Sequence, residues 1–114
     1  MNVTDWKSQM EAELHRAQTA WKEGNDGKAR ACSRRAVGII LKELDRRNPA
    51  QNARPHSAVD RMKEVAANTS LPENIRRAAQ RLTANVSRRL SSDFTFHPIR
   101  DAQILIDYFS KMPC

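Results

Sequence analysis

Two rows of basic residues are the part of this sequence whose residue types and spacing could do chemistry. Arg77, Arg81 and Arg88 recur at steps of four and seven residues, so they fall on one side of a single helix. A second basic row lies on one side of an earlier predicted helix and consists of Lys28, Arg35, Lys42 and Arg46. Guanidinium groups hold phosphate and carboxylate oxygens through paired, charge-assisted hydrogen bonds. The spacing therefore predicts a site for an anionic partner where the two rows meet a common groove.

The positive charge of the chain is concentrated in its middle. The formal net charge is +7, and residues 27–100 alone carry sixteen Lys and Arg against six Asp and Glu, a net +10. Residues 1–26 have a net charge of −2 and residues 101–114 of −1. Fourteen of the twenty basic residues are arginines. This excess favours a nucleotide, an RNA or an acidic protein as partner, and the alternative is a basic surface that is merely solvated.

Other kinds of chemistry find little support in the residue types. Three scattered glycines cannot form a glycine-rich phosphate loop, and the three histidines lie far apart in the chain. Cys32 and Cys114 are not at metal-ligand spacing, so Cys32 is predicted to be a small core residue and Cys114 a free thiol. The sequence thus predicts no metal and no cofactor. Trp6 and Trp21 are predicted to be buried, which removes them as stacking platforms for bases.

The elements that must position the basic rows are all helical. Residues 1–114 are predicted to form a single all-α domain, an antiparallel bundle of four to five helices. Apolar residues at helical spacing place these helices at 5–23, 27–47, 57–68, from about 72 to 89, and 98–112. The Gly24–Gly27 link is short enough to make the first two helices an antiparallel hairpin. No segment approaches the roughly 20 apolar residues that span a bilayer, so the expectation is a cytoplasmic protein without a membrane partner.

Two features of the helix faces leave alternatives open. Ile104 and Tyr108 lie one turn apart on a second face of the last helix, and they are predicted either to form a homodimer interface or to pack against the first helix or the preceding loop. Ala31 and Gly38 interrupt the basic side of the second helix. Small residues there either allow the close approach of a ligand or of another helix, or are simply exposed to solvent without a role.

Several segments also resemble a known family in their order. Residues 21–42, WKEGNDGKARACSRRAVGIILK, form a Gly-Asn/Asp turn followed by an alanine-rich helix. A loop and a short helix after Pro55-His56-Ser57 come next, and Leu71-Pro72 opens a longer helix. The aromatic segment 94–98 then precedes a last helix that contains Asp101-Ala102. This organisation resembles the higher eukaryote and prokaryote nucleotide-binding (HEPN) domains over most of the chain.

The resemblance has two implications for activity. Nuclease members of the family carry an Arg followed after four to six residues by a His, and they cleave RNA without metal, usually as dimers. Here seven residues lie between Arg89 and His97, one more than the family pattern allows, and Leu90 follows Arg89 where a polar residue is usual. His97 is interpreted as a capping or loop residue before Pro98. Non-catalytic members bind nucleotides or nucleic acid, or act as partners of toxin–antitoxin nucleotidyltransferases.

Three hypotheses follow for the function. The leading one is a non-catalytic HEPN-like module, a homodimer, that binds a nucleotide or an RNA phosphate on its basic face. Its predicted phosphate-binding residues are Arg35, Arg77, Arg81 and Arg88, flanked by Arg30 and Arg34. The second is a protein-interaction module that binds an acidic partner and dimerises through Ile104 and Tyr108. The third is a degenerate, metal-independent ribonuclease that uses Arg88 or Arg89 with His97.

Overall fold

A computed structural model describes residues 5–47, 57–83 and 97–111, and all regular structure in these ranges is α-helical. The five helices are α1 (Asp5–Lys22), α2 (Asp26–Arg47), α3 (Ala58–Ala67), α4 (Glu73–Thr83) and α5 (Pro98–Ser110). The prediction of an all-helical chain compatible with a bundle is confirmed, with helix ends shifted by one or two residues. The predicted continuation of the fourth helix to Arg89 lies outside the described residues, as do Arg88 and Cys114. None of the helices described is long and apolar enough to cross a bilayer.

The turn between α1 and α2 explains why these two helices pair. Gly24 has a φ of +78°, a backbone conformation that residues other than glycine rarely adopt. The backbone amide of Asn25 then donates to the carbonyl oxygen of Ala20 at 2.8 Å and closes the end of α1. The Oδ1 of Asn25 then accepts from the amide of Lys28 at 3.1 Å and caps the start of α2. Gly24 therefore ends α1 and Asn25 caps the start of α2, so the chain reverses direction within three residues.

The core is built around α2, which contacts each of the other four helices. The largest fully buried apolar side chains of the core come from four helices and include Ile40, Leu41, Met62, Leu82 and Leu105. Each contributes about 2 kcal/mol through removal from water. Cys32 is 1% exposed, which confirms it as a core residue. Trp6 and Trp21 are half-buried rather than buried, because each packs on the edge of a core cluster and not inside it.

Gly38 of α2 faces α3, and the two helices approach each other closely there. A Cβ atom on Gly38 would lie 2.6 Å from the Cβ of Ala58, so the two helices touch where both side chains are minimal. Of the two neighbours that a small residue at this position could admit, a ligand or another helix, the structure has a helix next to Gly38. This contact positions α3, and through it α4, against the arginine-bearing helix.

Candidate functional site

Asp101 is the buried centre of the most unusual charged region in the described residues. It lies in the first turn of α5 with a side chain 6% exposed, and Arg81 of α4 holds its carboxylate from two nitrogens. The Nη2 of Arg81 donates at 2.9 Å and its Nε at 3.2 and 3.3 Å. The Arg81 side chain is 34% exposed. The pair therefore has a buried carboxylate on one side and a guanidinium open to solvent on the other.

Two further arginines reach this region from α2. Arg34 donates from Nε to the carbonyl oxygen of Leu82 at 2.7 Å, next to Arg81 in the chain. Arg30 is 4% exposed, and both Arg34 and Asp101 lie close enough for their charges to act on it. We call Arg30, Arg34, Arg81 and Asp101 the arginine cluster.

Burial changes the electrostatics of these side chains. Desolvation is the main cause that lowers the pKa of Arg30, and the charge of Arg34 lowers it further, while Asp101 and Asp26 raise it by less. Desolvation also lowers the pKa of Arg34. Arginine stays protonated at neutral pH even so. The cluster therefore holds positive charge that water solvates poorly, and an anion placed beside it would be stabilised.

The charge of this region is positive by residue count. The cluster contains three arginines and one aspartate, and Asp26 at the start of α2 is a second acid whose charge acts on Arg30. Arg30 and Arg34 have further interactions as well. The segment 84–96, which follows Thr83 in the chain, contributes two arginines and one aspartate by sequence. It therefore adds more positive than negative charge to the chain.

An aromatic pair stands beside the cluster. The rings of Trp21 and His97 are 4.8 Å apart at 33°. The Nδ1 of His97 accepts from the amide of Arg100 at 3.2 Å, so His97 caps α5 one turn before Asp101. The interpretation of His97 as a capping residue is confirmed. Arg89 lies outside the described residues, so its pairing with His97 stays a prediction.

The predicted phosphate-binding residues are not brought together as a set. Arg35 is exposed and lies 3.5 Å from Glu13 of α1, and Arg77 is exposed and bonded to Glu73 one turn earlier at 2.6 Å. Of the four, Arg81 belongs to the arginine cluster and Arg88 lies outside the described residues. The central arginines from α2 are instead Arg30 and Arg34, which the sequence placed at the edge of the basic side. That edge is the one that α2 turns toward α4 and α5.

A second charged region lies at the other end of α2, and sequence reasoning missed it. Glu43 is 8% exposed and accepts hydrogen bonds from Arg46 and Arg47. These bonds, that of Arg46 foremost, lower the pKa of Glu43 to about 2. Nearby, Arg61 of α3 holds Asp45 at 2.9 Å and Glu64 at 3.3 Å. We call these six residues the α2 C-terminal network; it contains three acids and three arginines.

The two residues predicted either for a dimer interface or for packing within the domain are partly covered by the protein's own core. Ile104 and Tyr108 are half-buried and pack against the main core cluster, and Tyr108 meets Phe109 edge to face at 5.2 Å. Within residues 5–47, 57–83 and 97–111, no Val, Ile, Leu, Met, Phe, Trp or Tyr side chain is exposed. The same ranges hold no group of three His, Cys, Asp or Glu residues that could bind a metal ion.

Comparison with known proteins adds no further assignment. No family model, no curated protein and no solved structure matches this chain.

Proposed function

We propose that this protein is a non-catalytic module that binds the phosphate group of a nucleotide or an RNA at the arginine cluster. The observation that carries the proposal is that Arg81 of α4 binds the buried carboxylate of Asp101, while two partly desolvated arginines of α2 lie in the same region: Arg30 is close enough for the charge of Asp101 to act on it, and Arg34 donates to the carbonyl oxygen of Leu82. Each buried positive charge costs free energy unless an anion or a set of acceptors offsets it. A phosphate that reaches this region from solvent would meet guanidinium groups from two helices, the partly exposed one of Arg81 among them.

The exposure of the cluster supports a ligand rather than a purely internal network. Arg81 is about one-third exposed and Arg34 is partly buried, so an anion can reach both from solvent. Hydrogen bonds from partly desolvated guanidinium groups are stronger than those from fully hydrated ones. The half-buried Trp21 and the exposed ring of His97 lie beside the cluster, where a base could stack.

The resemblance to HEPN domains supports the same reading, because non-catalytic members of that family bind nucleotides or nucleic acid. His97 takes a structural role in this proposal, since its Nδ1 is engaged as the cap of α5. A ribonuclease would instead need His97 as a proton carrier. Incubating RNA with wild type and with His97→Ala separates the two readings, since equal cleavage by both removes His97 from any catalysis.

Direct binding measurements test the proposal. Fluorescence anisotropy with a labelled single-stranded RNA and calorimetry with a nucleoside monophosphate would be run on wild type, Arg34→Gln and Arg81→Lys. Arg81→Lys keeps a positive charge beside Asp101 but loses the paired hydrogen bonds that a guanidinium makes, and Arg34→Gln removes a positive charge. We expect each variant to bind the two ligands at least tenfold more weakly than wild type. Arg77→Gln is the matched control, because Arg77 lies on the same helix, is exposed and is paired locally with Glu73. It should bind within about twofold of wild type.

Salt dependence gives a second readout on RNA. Affinity should fall by roughly 0.7 log units per log unit of salt for each phosphate contact, and the slope should be smaller in Arg34→Gln. The proposed function would be contradicted if both cluster variants bound the ligands as tightly as wild type does, or if wild type bound neither ligand.

The homodimer and the acidic protein partner stay predictions of the sequence. Light scattering on wild type and on Ile104→Asp tests the first: a dimer that becomes a monomer in the variant supports the interface at Ile104 and Tyr108. A wild-type monomer removes it.

A further inference from the structure

A row of exposed basic residues on α2 is not used by the arginine cluster. Lys28, Arg35 and Lys42 are seven positions apart, so they lie on one side of the helix at steps of about 10.5 Å. All three are exposed, and neither lysine forms an ion pair with a described residue. Arg46, the fourth member of the predicted row, is bound to Glu43 in the α2 C-terminal network. The row from Lys28 to Lys42 is therefore open to solvent over about 21 Å.

Arg16 of α1 joins this row at its centre. The Nη1 atoms of Arg16 and Arg35 lie 3.4 and 3.5 Å from the same oxygen, Oε1 of Glu13, so the two nitrogens are no farther apart than these distances combined. A phosphate whose oxygens each lie about 2.8 Å from a donor nitrogen can bridge that separation. The two arginine side chains are 60% and 57% exposed, and that of Glu13 is 14% exposed. Both guanidinium groups are therefore open to solvent, while the carboxylate is largely covered.

Glu13 leaves the hydrogen-bonding capacity of both arginines available. Its Oε1 is buried and accepts no hydrogen bond from the described residues, so the two contacts are ion pairs without hydrogen bonds. One carboxylate also neutralises only one of the two guanidinium charges. We call Arg16, Lys28, Arg35 and Lys42 the α1–α2 surface; its four positive charges meet one acid at ion-pair distance among the described residues.

We propose that the α1–α2 surface binds the phosphate backbone of a nucleic-acid strand. Arg34 and Arg35 are neighbours on α2 and project about 100° apart. Arg34 reaches the end of α4, whereas Arg35 reaches α1. The α1–α2 surface is thus a second site, which shares no residue with the arginine cluster and does not depend on it.

The residue types of the surface favour a nucleic acid over an acidic protein. No large apolar side chain is exposed in residues 5–47, 57–83 and 97–111, so the surface lacks the apolar anchors found at the centre of protein–protein interfaces. A nucleic-acid backbone carries a charge at every nucleotide and needs no apolar contact. Because solvent screens exposed charges, each contact is weak, and affinity comes from several phosphates bound along the row.

The experiment measures the binding of a labelled single-stranded RNA 10-mer by anisotropy at several salt concentrations. The double variant Arg16→Gln/Arg35→Gln removes two phosphate contacts. We expect its affinity to fall about fivefold or more at low salt, and its salt slope to decrease by about 1.4, at roughly 0.7 for each lost contact. Lys63→Gln/Arg77→Gln is the matched control, because it removes the same charge from exposed positions of α3 and α4, and its affinity should stay within about twofold of wild type.

Glu13→Gln should change the affinity in the opposite direction. It removes the carboxylate that neutralises one guanidinium and keeps both arginines, so we expect RNA to bind about threefold more tightly. Thermal melts establish that the variants are folded. An unchanged or lower affinity in a folded Glu13→Gln protein contradicts the proposed surface. Lys28→Gln/Lys42→Gln should lower affinity and salt slope as the arginine pair does, and it replaces that pair if the arginine variant does not fold.

Competition with polyglutamate tests the choice of partner. A carboxylate at the end of a flexible side chain loses more conformational entropy on binding than a phosphate that is part of the backbone. We therefore expect polyglutamate to displace the RNA at least fivefold less effectively than unlabelled RNA of equal total charge. Equal displacement would assign the surface to acidic proteins and overturn the proposal of a nucleic acid.

A mononucleotide separates this surface from the arginine cluster. Arg16→Gln/Arg35→Gln should bind a nucleoside monophosphate as wild type does, because the cluster is intact. RNA affinity and salt slope that are unchanged in this variant, or that change equally in the control, overturn the α1–α2 surface and leave the function at the cluster standing. RNA binding that needs Arg16 and Arg35, with no effect of Arg34→Gln and no binding of the monophosphate, supports the surface and contradicts the function at the cluster.

Discussion

The two ends of α2 handle buried charge in opposite ways. At the C-terminal end, three acids face three arginines, and the partly buried groups, Glu43, Asp45 and Arg61, each have a partner of opposite sign. At the N-terminal half, Arg81 of α4 binds Asp101, and the charges of Arg34 and Asp101 both act on the buried Arg30. Among the charged side chains that the structure describes, the first region has equal numbers of acids and arginines, and the second has more arginines than acids.

The difference separates a structural network from a candidate binding site. A balanced network offsets its own desolvation and needs nothing further. A region with more arginines than acids gains more from an added anion than a balanced region does. The C-terminal end of α2 therefore stabilises the fold, and its N-terminal half contributes to the candidate binding site. Exposed ion pairs such as Arg77–Glu73 belong to neither class, because solvent screens them.

Removal of the buried carboxylate of Asp101 should give the largest effect. Asp101→Asn leaves the guanidinium of Arg81 beside a neutral amide and increases the surplus charge, so we expect a loss of about 3–5 kcal/mol in the free energy of unfolding. Added phosphate should restore more stability to this variant than to wild type. Urea denaturation with and without phosphate measures both. Equal stabilisation of the two proteins would show that the cluster does not bind phosphate.

Glu43→Gln should break the balanced end with a smaller effect. The pKa of Glu43 is lowered to about 2 in the folded protein from an ordinary 4.5, so its contribution is complete above pH 4.5 and is lost as the pH falls from 4.5 toward 2. We expect the variant to lose about 2 kcal/mol at pH 7 and nothing near pH 2. Thermal melts across that range measure the difference, and Glu73→Gln, on an exposed pair, is the control. A pH-independent gap between the variant and wild type would contradict the assignment.

Gly38→Ala should perturb the contact between α2 and α3 that lies between the two regions. The new methyl would meet the Cβ of Ala58 at 2.6 Å, and this overpacking outweighs the gain in helix propensity, for a net loss of about 1–2 kcal/mol. Because Arg61 is on α3, the Asp45–Arg61 pair should weaken, while phosphate binding at the other half of α2 should change little. A double-mutant cycle with Asp45→Asn detects the loss of coupling. Full additivity with a stable Gly38→Ala protein would argue against the close packing.

Arg77→Ala should give the smallest effect. Arg77 and Glu73 are 65% and 63% exposed, so their pair contributes less than about 0.5 kcal/mol, and RNA affinity should change no more than twofold. Chemical denaturation and anisotropy on one preparation check both values. A tenfold loss of affinity would move the candidate site from the cluster to the outer face of α4.

Much of the fold could be predicted because its signals are local. Gly24 and Asn25 determine the α1–α2 turn by backbone conformation and capping, and Pro98 after His97 marks the start of α5. The apolar spacing that predicted Cys32 as a core residue depends on neighbours within one helix. By contrast, the assignment of Trp6 and Trp21 as buried was wrong, because their exposure depends on how far each helix overlaps the next.

The candidate site could be predicted in part. Arg81 was identified from its row, but its row-mate Arg77 stays on the surface, since one turn of a helix is enough to move a side chain from an interface to solvent. Arg30 and Arg34 were placed beside the site and lie within it. Glu43 gave no signal in the sequence, because a glutamate between arginines and lysines is an ordinary surface pattern.

The sequence by itself determined the helices, their order, the first hairpin and the concentration of arginine in the middle of the chain, because these depend on residues a few positions apart. Tertiary structure alone decided which arginine binds the buried Asp101 and which arginine reaches the end of α4 from α2. Asp101 is 20 positions from Arg81 in the sequence, and Arg34 is 48 positions from Leu82, to which it donates a hydrogen bond. Such pairings depend on the rotation and offset of packed helices, to which no local pattern refers.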